Sequence, residues 1–168
     1  GKDVGRNADG EIWVRGPAMM QGYRDAEQNA AAFSEEGFFK TGDIGQLLDS
    51  EAIVITDRKK DIIIRGGENL SAREIEEIVL LHPAVAEAAA VSAPHERLGE
   101  GVAVFVTTYG DEAPTLANLT ELCAEQQLAK QKWPQWLSVV AEMPKTPSGK
   151  IQKAALRAQL KEQGVQLS

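Results

Sequence analysis

A run of five consecutive charged residues, Asp-Arg-Lys-Lys-Asp at positions 57–61, most constrains how this chain of 168 residues can fold. Apolar, strand-like runs lie on both sides of it, at residues 52–56 and 62–64. Because five adjacent charges resist burial in one continuous core, the segment belongs at the surface between two compact parts. The sequence therefore predicts two domains, residues 1–59 and residues 60–168.

The first domain is predicted to be small and rich in β-strands. Its strand-like runs are separated by Gly, Pro, Asp and Ser, which favour turns, and they lie at residues 11–15, 37–40, 44–48 and 52–56. The last two runs predict a hairpin around residues 48–51. Residues 25–34 predict a short helix with Asp25 as its N-cap.

The second domain is predicted to alternate strands with helices. Strands are expected at residues 62–64, 85–92, 102–108 and 137–141, and helices from the capping box at residues 71–74 to residue 81, at residues 116–129 and at residues 151–162. Ser71 and Glu74 have the spacing of a capping box at the start of the first of these helices. The overall expectation is an α+β fold, in which a small β-rich subdomain precedes a compact α/β domain of about 110 residues.

Composition argues against several classes of protein. The formal net charge of -7 opposes a general nucleic-acid or anionic-membrane surface. Cys123 is the single cysteine and His82 and His95 are the two histidines, so neither a disulfide framework nor a zinc quartet is expected. No apolar run reaches the roughly 18 residues of a membrane span, and residues 1–4 do not begin a secretion signal. We expect a cytoplasmic protein with no metal ligands of its own.

The charge is distributed unevenly along the second domain. Residues 60–128 contain 4 basic and 12 acidic residues, whereas residues 129–168 contain 7 basic and 2 acidic residues. Such a basic tail is typical either of a solvated helix face or of an element that moves against an anionic ligand.

Two glycine-containing segments of the second domain are candidates for ligand contact. Residues 144–150, Pro-Lys-Thr-Pro-Ser-Gly-Lys, predict a restricted, exposed turn that presents the ammonium group of Lys150 to an anion, or simply a loop. Gly66 and Gly67 follow a strand and precede a capped helix, where paired glycines permit positive φ. They form either a tight turn or a path for a thin ligand arm.

Two charged residues are candidates for nucleotide binding, one at a predicted strand end and one in the charged run at residues 57–61. Asp43 follows Thr41-Gly42 at a predicted strand end, and its two carboxylate oxygens suit the two hydroxyls of a ribose. Arg58 offers donors to the same sugar or to a phosphate. Each also has an ordinary structural interpretation, Asp43 as a turn residue and Arg58 as a solvated charge.

Four motifs in order closely resemble the C-terminal part of the adenylate-forming superfamily, and they lie at residues 10–23, 39–43, 57–71 and 144–150. This superfamily includes acyl- and aryl-CoA synthetases, nonribosomal peptide adenylation domains and beetle luciferase. The resemblance covers nearly the whole chain. It implies that residues 1–59 are the last β subdomain of a large adenylating domain and that residues 60–168 are the C-terminal lid domain.

The resemblance also implies roles for individual residues. Asp43 matches the aspartate that holds the ATP ribose hydroxyls, Arg58 the arginine that joins it, and Lys60 the hinge about which the lid turns. Gly66 and Gly67 match the loop along the pantetheine path in the thioester-forming state. A further match concerns the turn at residues 144–150, whose Lys150 corresponds to the lysine that reaches the carboxylate and the α-phosphate during adenylation.

The activity implied is that of an AMP-forming carboxylic acid:CoA ligase, which uses ATP with Mg²⁺, coenzyme A and a small carboxylic acid. Asp57 and Lys60 stand where peptide-synthetase domains tend to have glycine and aspartate, which favours the CoA-ligase branch. The phosphate loop and acyl pocket of the family belong to an N-terminal domain missing from this sequence, so the chain alone is expected to be inactive. Two alternatives remain, a non-catalytic interaction module with the lid fold and a peptide-synthetase adenylation domain.

Trp133 and Trp136 make one segment more aromatic than usual, and both are predicted to be packing residues.

Overall fold

Residues 2–168 are described by a computed structural model, in which the chain divides into two units between Lys60 and Asp61. The first unit, Gly1–Lys60, is built on an antiparallel sheet in the order β1-β2-β3. Its elements are β1 (Gly10–Val14), α1 (Ala26–Ala32), β2 (Phe39–Leu47) and β3 (Ile53–Arg58). The Asp25 side chain accepts a 2.8 Å hydrogen bond from the Gln28 amide, which confirms the predicted N-cap of α1.

Strand β2 is continuous from Phe39 to Leu47, so the prediction of two separate strands in this region was wrong. Asp43 consequently lies inside a strand and not at a strand end. On β1, Glu11 pairs with Ile44 and Trp13 with Lys40, so β2 carries extra residues in a bulge opposite that short stretch. Gly42 has a φ of +74°, which lets the strand bulge while the hydrogen-bonded ladder continues past it. The sequence analysis instead predicted that the strand ends at this glycine.

The second unit, Asp61–Ser168, is built on a five-stranded sheet in the order β5-β4-β7-β6, with β8 also paired to β7. Its strands are β4 (Ile63–Arg65), β5 (Glu68–Leu70), β6 (Val85–His95), β7 (Gly99–Thr108) and β8 (Trp136–Val139). Its helices are α2 (Ala72–Val79), α3 (Leu116–Glu125) and α4 (Lys153–Glu162). Strands β6 and β7 pair antiparallel along their length, whereas β8 pairs parallel with β7.

Alternate residues of β7 enter two apolar clusters, one on each face of this sheet. Val104 packs in the cluster that contains Ile75 of α2 and Leu119 of α3. Its neighbour Phe105 packs in the cluster that contains Leu156 of α4. Helices therefore cover both faces of the sheet, and the predicted mixed fold of strands and helices is confirmed.

Several element boundaries differ from the sequence predictions. Helix α3 ends at Glu125, four residues early, and Gln127 has a φ of +58°. Helix α4 begins at Lys153, because Ile151 instead forms an antiparallel bridge with Lys145. A 3-10 helix at Lys130–Lys132 and strand β5 were not predicted.

Both tryptophans of the aromatic segment are packing residues, as predicted. The Trp133 indole donates a 2.8 Å hydrogen bond to the Leu128 carbonyl, and the ring packs against the apolar cluster of α2 and α3. The Trp136 ring meets the Phe105 ring edge-on at a centroid distance of 5.2 Å. Within residues 2–168, no helix combines the length and apolar character that a bilayer crossing requires.

Candidate functional site

Asp43 and Arg58 face each other across β2 and β3 of the first unit. The two residues are register partners, and Arg58 Nε donates a 2.8 Å hydrogen bond to Asp43 Oδ1. The exposed fractions are 30% for the Asp43 side chain and 49% for that of Arg58, so both remain accessible to a ligand. The ion pair fixes one carboxylate oxygen and leaves acceptor capacity on the other for hydroxyl donors.

The bulge beside this pair is held by its own hydrogen bonds. Thr41 Oγ1 donates to the Ile12 carbonyl at 2.7 Å and accepts from the Asp43 amide at 3.1 Å. The Lys59 amide donates to the Gly42 carbonyl at 2.8 Å. These contacts fix the backbone of Asp43 from both neighbouring strands.

Lys59 also forms an ion pair with a carboxylate that sequence reasoning missed. Its ammonium lies 2.9 Å from Glu11 Oε2 on β1, and the Glu11 side chain is only 15% exposed. Burial alone would raise the pKa of Glu11, but the hydrogen bond from Lys59, together with Trp13, the charge of Lys59 and the backbone of Gly42, lowers that pKa. The signal in the sequence was Glu11 itself, a charged residue at the start of an apolar strand run.

An open depression of about 290 Å³ lies next to Arg58. It is lined by residues of the bulge and of the charged run, namely Thr41, Gly42, Arg58, Lys59 and Lys60. Two of the cationic side chains in this lining are already paired, Arg58 with Asp43 and Lys59 with Glu11, so ion pairs border the depression.

Gly66 and Gly67 form the two-residue turn between β4 and β5 in the second unit. Their φ values of +59° and +87° are those of a tight hairpin, which confirms the turn predicted from the sequence. The Gly66 amide donates to the Leu98 carbonyl at 2.9 Å. A Cβ atom built on Gly67 would meet no atom within 4 Å, so the surface there is open to a ligand arm.

Lys150 ends a tight turn that precedes α4. The Thr146 amide donates to the Lys150 carbonyl at 2.8 Å, and the Gly149 amide, at φ +82°, donates to the Thr146 carbonyl at 2.8 Å. Thr146 Oγ1 accepts a further hydrogen bond from the Lys150 amide at 3.1 Å. Lys150 is exposed, and its ammonium group forms no ion pair among residues 2–168.

The candidate residues thus fall into two groups. Asp43 and Arg58 lie together in the first unit, with Lys60 as its last residue. The second unit carries Lys150 and the Gly66-Gly67 turn at separate positions. Within the described residues, no group of three or more His, Cys, Asp or Glu side chains is arranged to hold a metal ion.

Comparison with known proteins defines the class. Residues 74–150 match the AMP-binding enzyme C-terminal domain. The chain is 44% identical over 162 residues to 2,3-dihydroxybenzoate-AMP ligase of Bacillus subtilis (strain 168), covering 96% of this chain and 30% of that protein. It is 40% identical to medium-chain fatty-acid–CoA ligase of Escherichia coli (strain K12), covering 93% and 28%.

A solved structure agrees with these relatives. The ATP-bound crystal structure of MatB from Rhodopseudomonas palustris superimposes with a TM-score of 0.88 at 35% identity, over 96% of this chain and 32% of that one. This chain belongs to the adenylate-forming superfamily. More narrowly, it matches the C-terminal portion of the members that are acyl- and aryl-CoA synthetases, and it spans about 30% of the length of the curated relatives.

Proposed function

We propose that the chain supplies the C-terminal part of a cytoplasmic, AMP-forming carboxylic acid:CoA ligase. The parent enzyme joins an acid to ATP, which gives acyl-AMP and pyrophosphate, and the thiol of coenzyme A then displaces AMP. The observation that carries this proposal is Lys150, an exposed cation held at the end of a hydrogen-bonded turn in a segment that matches the family domain.

The charge of Lys150 suits the first step. A carboxylate that attacks the α-phosphate brings two anions together, and negative charge concentrates on the oxygens between them in the transition state. A fixed ammonium group stabilises that state more than it stabilises the separated substrates, because the charges there are closest. Mg²⁺ enters as part of the ATP substrate, and we assign none of the described residues to it.

Asp43 and Arg58 are proposed to bind the nucleotide. The free acceptor capacity of Asp43 is directed to the two ribose hydroxyls, and Arg58 both orients that carboxylate and adds a donor. The neighbouring depression is proposed to hold another part of the same nucleotide.

The second step is proposed to use Lys60, Gly66 and Gly67. Rotation about the Lys60 backbone withdraws Lys150 after adenylation and brings the open Gly66-Gly67 turn to the thiol's path. A glycine turn with no Cβ atoms allows the narrow pantetheine arm to pass close to the backbone.

A second candidate differs in the acceptor of the acyl group. The relative at 44% identity is named as an AMP ligase, without coenzyme A in its name. This observation favours an aryl-AMP ligase that makes the adenylate and transfers the acyl group to a thiol other than that of coenzyme A.

One assay on the full-length parent protein separates these functions. Pyrophosphate release is measured with ATP, Mg²⁺ and a panel of fatty, alicyclic and aromatic acids that includes octanoate and 2,3-dihydroxybenzoate, and thioester is measured by mass spectrometry with and without coenzyme A. Pyrophosphate and acyl-CoA together support the ligase. Pyrophosphate without acyl-CoA supports the AMP ligase. No pyrophosphate with any acid contradicts both and favours the non-catalytic module.

A further inference from the structure

Two ion pairs hold the chain on either side of the Lys150 turn. Before the turn, Lys145 Nζ lies 2.7 Å from Glu87 Oε1 on β6. After it, Lys153 Nζ lies 2.7 Å from Glu76 Oε1 on α2. Both carboxylates belong to the body of the second unit, so each arm of the turn is tied to a different element of that body.

The pair between Lys153 and Glu76 is the more buried of the two. Its side chains are 16% and 17% exposed, against 34% for both side chains of the other pair. The same Glu76 oxygen also accepts a 2.7 Å hydrogen bond from the Ala90 amide of β6. Glu76 therefore joins α2, β6 and the start of α4 at one atom.

The position of Lys153 is unfavourable for α4 by itself. It is the first residue of that helix, where backbone amides carry partial positive charge and a cation is repelled. The first turn of α4 contains no acidic residue, and its N-cap Gln152 makes no side-chain capping bond. Glu76 supplies the negative charge that this end of the helix needs, which explains how a lysine is tolerated there.

The turn between the two arms is closed by backbone hydrogen bonds, and apolar packing on each arm joins the two ion pairs in attaching it to the body. Lys145 and Ile151 form an antiparallel bridge, and the Gln152 amide donates to the Pro144 carbonyl at 2.7 Å. Met143 before the turn lies in the apolar cluster of α4, and Ile151 after it packs against that cluster. The direction of the turn, and how often its hydrogen bonds open, depend on how firmly both arms are attached, by this packing and by the two ion pairs.

We infer that Glu76 and Glu87 position Lys150 for adenylation through their ion pairs with Lys153 and Lys145. This inference rests on the proposed function of Lys150. Glu76 and Glu87 are positioning residues, because neither side chain contacts the turn's ammonium group. Small errors in placement matter, since a shift of about 1 Å at a catalytic group costs up to about 10²-fold in rate.

The first test needs no substrate. Glu76→Gln keeps an acceptor for the Ala90 amide and removes the charge that holds Lys153. In the 168-residue chain, hydrogen exchange of the Thr146 and Gln152 amides is expected to become about 5-fold faster or more. The matched control is Glu77→Gln, the next residue of α2, whose exposed ion pair is with Arg73 of the same helix. Unchanged exchange in Glu76→Gln would overturn the anchoring.

The second test is kinetic and uses the full-length parent with the acid that gives most pyrophosphate. Glu76→Gln is expected to slow adenylation about 10-fold and to leave thioester formation from supplied acyl-AMP within about 2-fold. In a Lys150→Ala background it is expected to slow adenylation no further, because Glu76 acts through Lys150. Equal slowing in both backgrounds, or in both half-reactions, would show a general structural role and overturn the inference.

Glu87→Gln gives an independent result should Glu76→Gln fail to fold. Its ion pair with Lys145 is more exposed, so the fold depends on it less. Glu87→Gln is expected to slow adenylation a few-fold when Lys150 is present and to have no further effect in the Lys150→Ala background. If Lys150→Ala itself leaves adenylation unchanged, the proposed function of Lys150 fails, and the exchange test still decides whether the two ion pairs hold the turn.

Discussion

The cations of the second unit differ in whether a carboxylate already neutralises them. Of the 7 basic residues in residues 129–168, four pair with carboxylates of residues 61–87 at 2.7–2.8 Å, namely Lys132, Lys145, Lys153 and Arg157. Most of the basic residues in the C-terminal part of the sequence thus form ion pairs with acidic residues earlier in the same unit. Among the described residues no carboxylate pairs with the other three, Lys130, Lys150 and Lys161, and of these only Lys150 lies in the turn before α4.

Replacing Lys150 by alanine is expected to impair adenylation selectively in the full-length parent. Removing one electrostatic contact to the transition state costs about 10²-fold or more when that contact resembles an oxyanion donor. Pyrophosphate release and thioester formation from supplied acyl-AMP are measured separately. Lys161→Ala, a change at an exposed lysine of α4, is the matched control; equal losses in the two half-reactions of Lys150→Ala would refute the assigned role.

Replacing Asp43 by asparagine is expected to raise the KM for ATP about 10-fold, with a smaller change in kcat. A hydrogen bond to a charged group is worth about 1.5 kcal/mol or more, and ribose binding is shared by the ground and transition states. Steady-state kinetics with varied ATP measure the effect. Asp49→Asn, in the β2–β3 hairpin turn, is the control, and an unchanged KM for ATP in Asp43→Asn would exclude Asp43 from nucleotide binding.

At the scale of elements, β2 shows what the sequence does and does not predict. Apolar alternation located the strand runs, but Gly42 has two opposite uses, strand termination and a bulge, and only pairing with β1 and β3 selects the bulge. The same limit applies to the start of α4. Ile151 fits the helical pattern, and its bridge to Lys145, a tertiary contact, removes it from the helix.

The residues of the candidate site divide in a similar way. Motif residues such as Asp43, Arg58 and Lys150 are readable because their types and spacing match a family. Glu76 was not readable, since on a helix it is one of several acidic residues, and its contact with Lys153 joins positions far apart in the chain. Long-range pairs of this kind depend on the packing of α2 and of α4 against β6.

The sheet of the first unit is expected to lose stability in acid through Glu11. Its pKa in the folded chain lies below the ordinary value of 4.5, so the ionised form stabilises the fold above that value. The contribution is lost as the pH falls through the lower folded pKa. Since Lys59 is 63% exposed, this contribution to the free energy of unfolding is less than about 1 kcal/mol.

Hydrogen exchange of residues 10–58 between pH 6 and pH 3, corrected for intrinsic rates, measures this effect. Glu11→Gln is expected to flatten part of the pH dependence, whereas Glu35→Gln, at an exposed position outside the sheet, is the control. The same pH dependence in wild type and Glu11→Gln would contradict the assignment to this ion pair.

At the scale of the whole molecule, Lys60 and Asp61 are the residues between which the units divide, and their neighbours are anchored within each unit. The Lys59 amide is bound to the Gly42 carbonyl on one side, and the Asp61 carboxylate is bound to Arg157 at 2.8 Å on the other. Anchors this close to Lys60 would concentrate a change of backbone torsion at that residue.

Replacing Lys60 by proline is expected to separate the two half-reactions in the full-length parent. Proline fixes φ near about -65° and opposes a torsional change, while Asp43 and Lys150 stay chemically intact. Pyrophosphate release is expected to persist and acyl-CoA formation to fall, at an unchanged melting temperature. Near-normal rates for both steps would eliminate Lys60 as the hinge, and Lys60→Ala controls for loss of the side chain.

The division between Lys60 and Asp61 also has a consequence at the level of the gene. In the part of the chain that the structure covers, each sheet takes all its strands from one side of the division, and both apolar clusters use only residues after it. A recombination crossover at codons 60 and 61 would therefore separate no strand pair and no cluster. Such a crossover would exchange the second unit whole, whereas point substitution would change it one contact at a time.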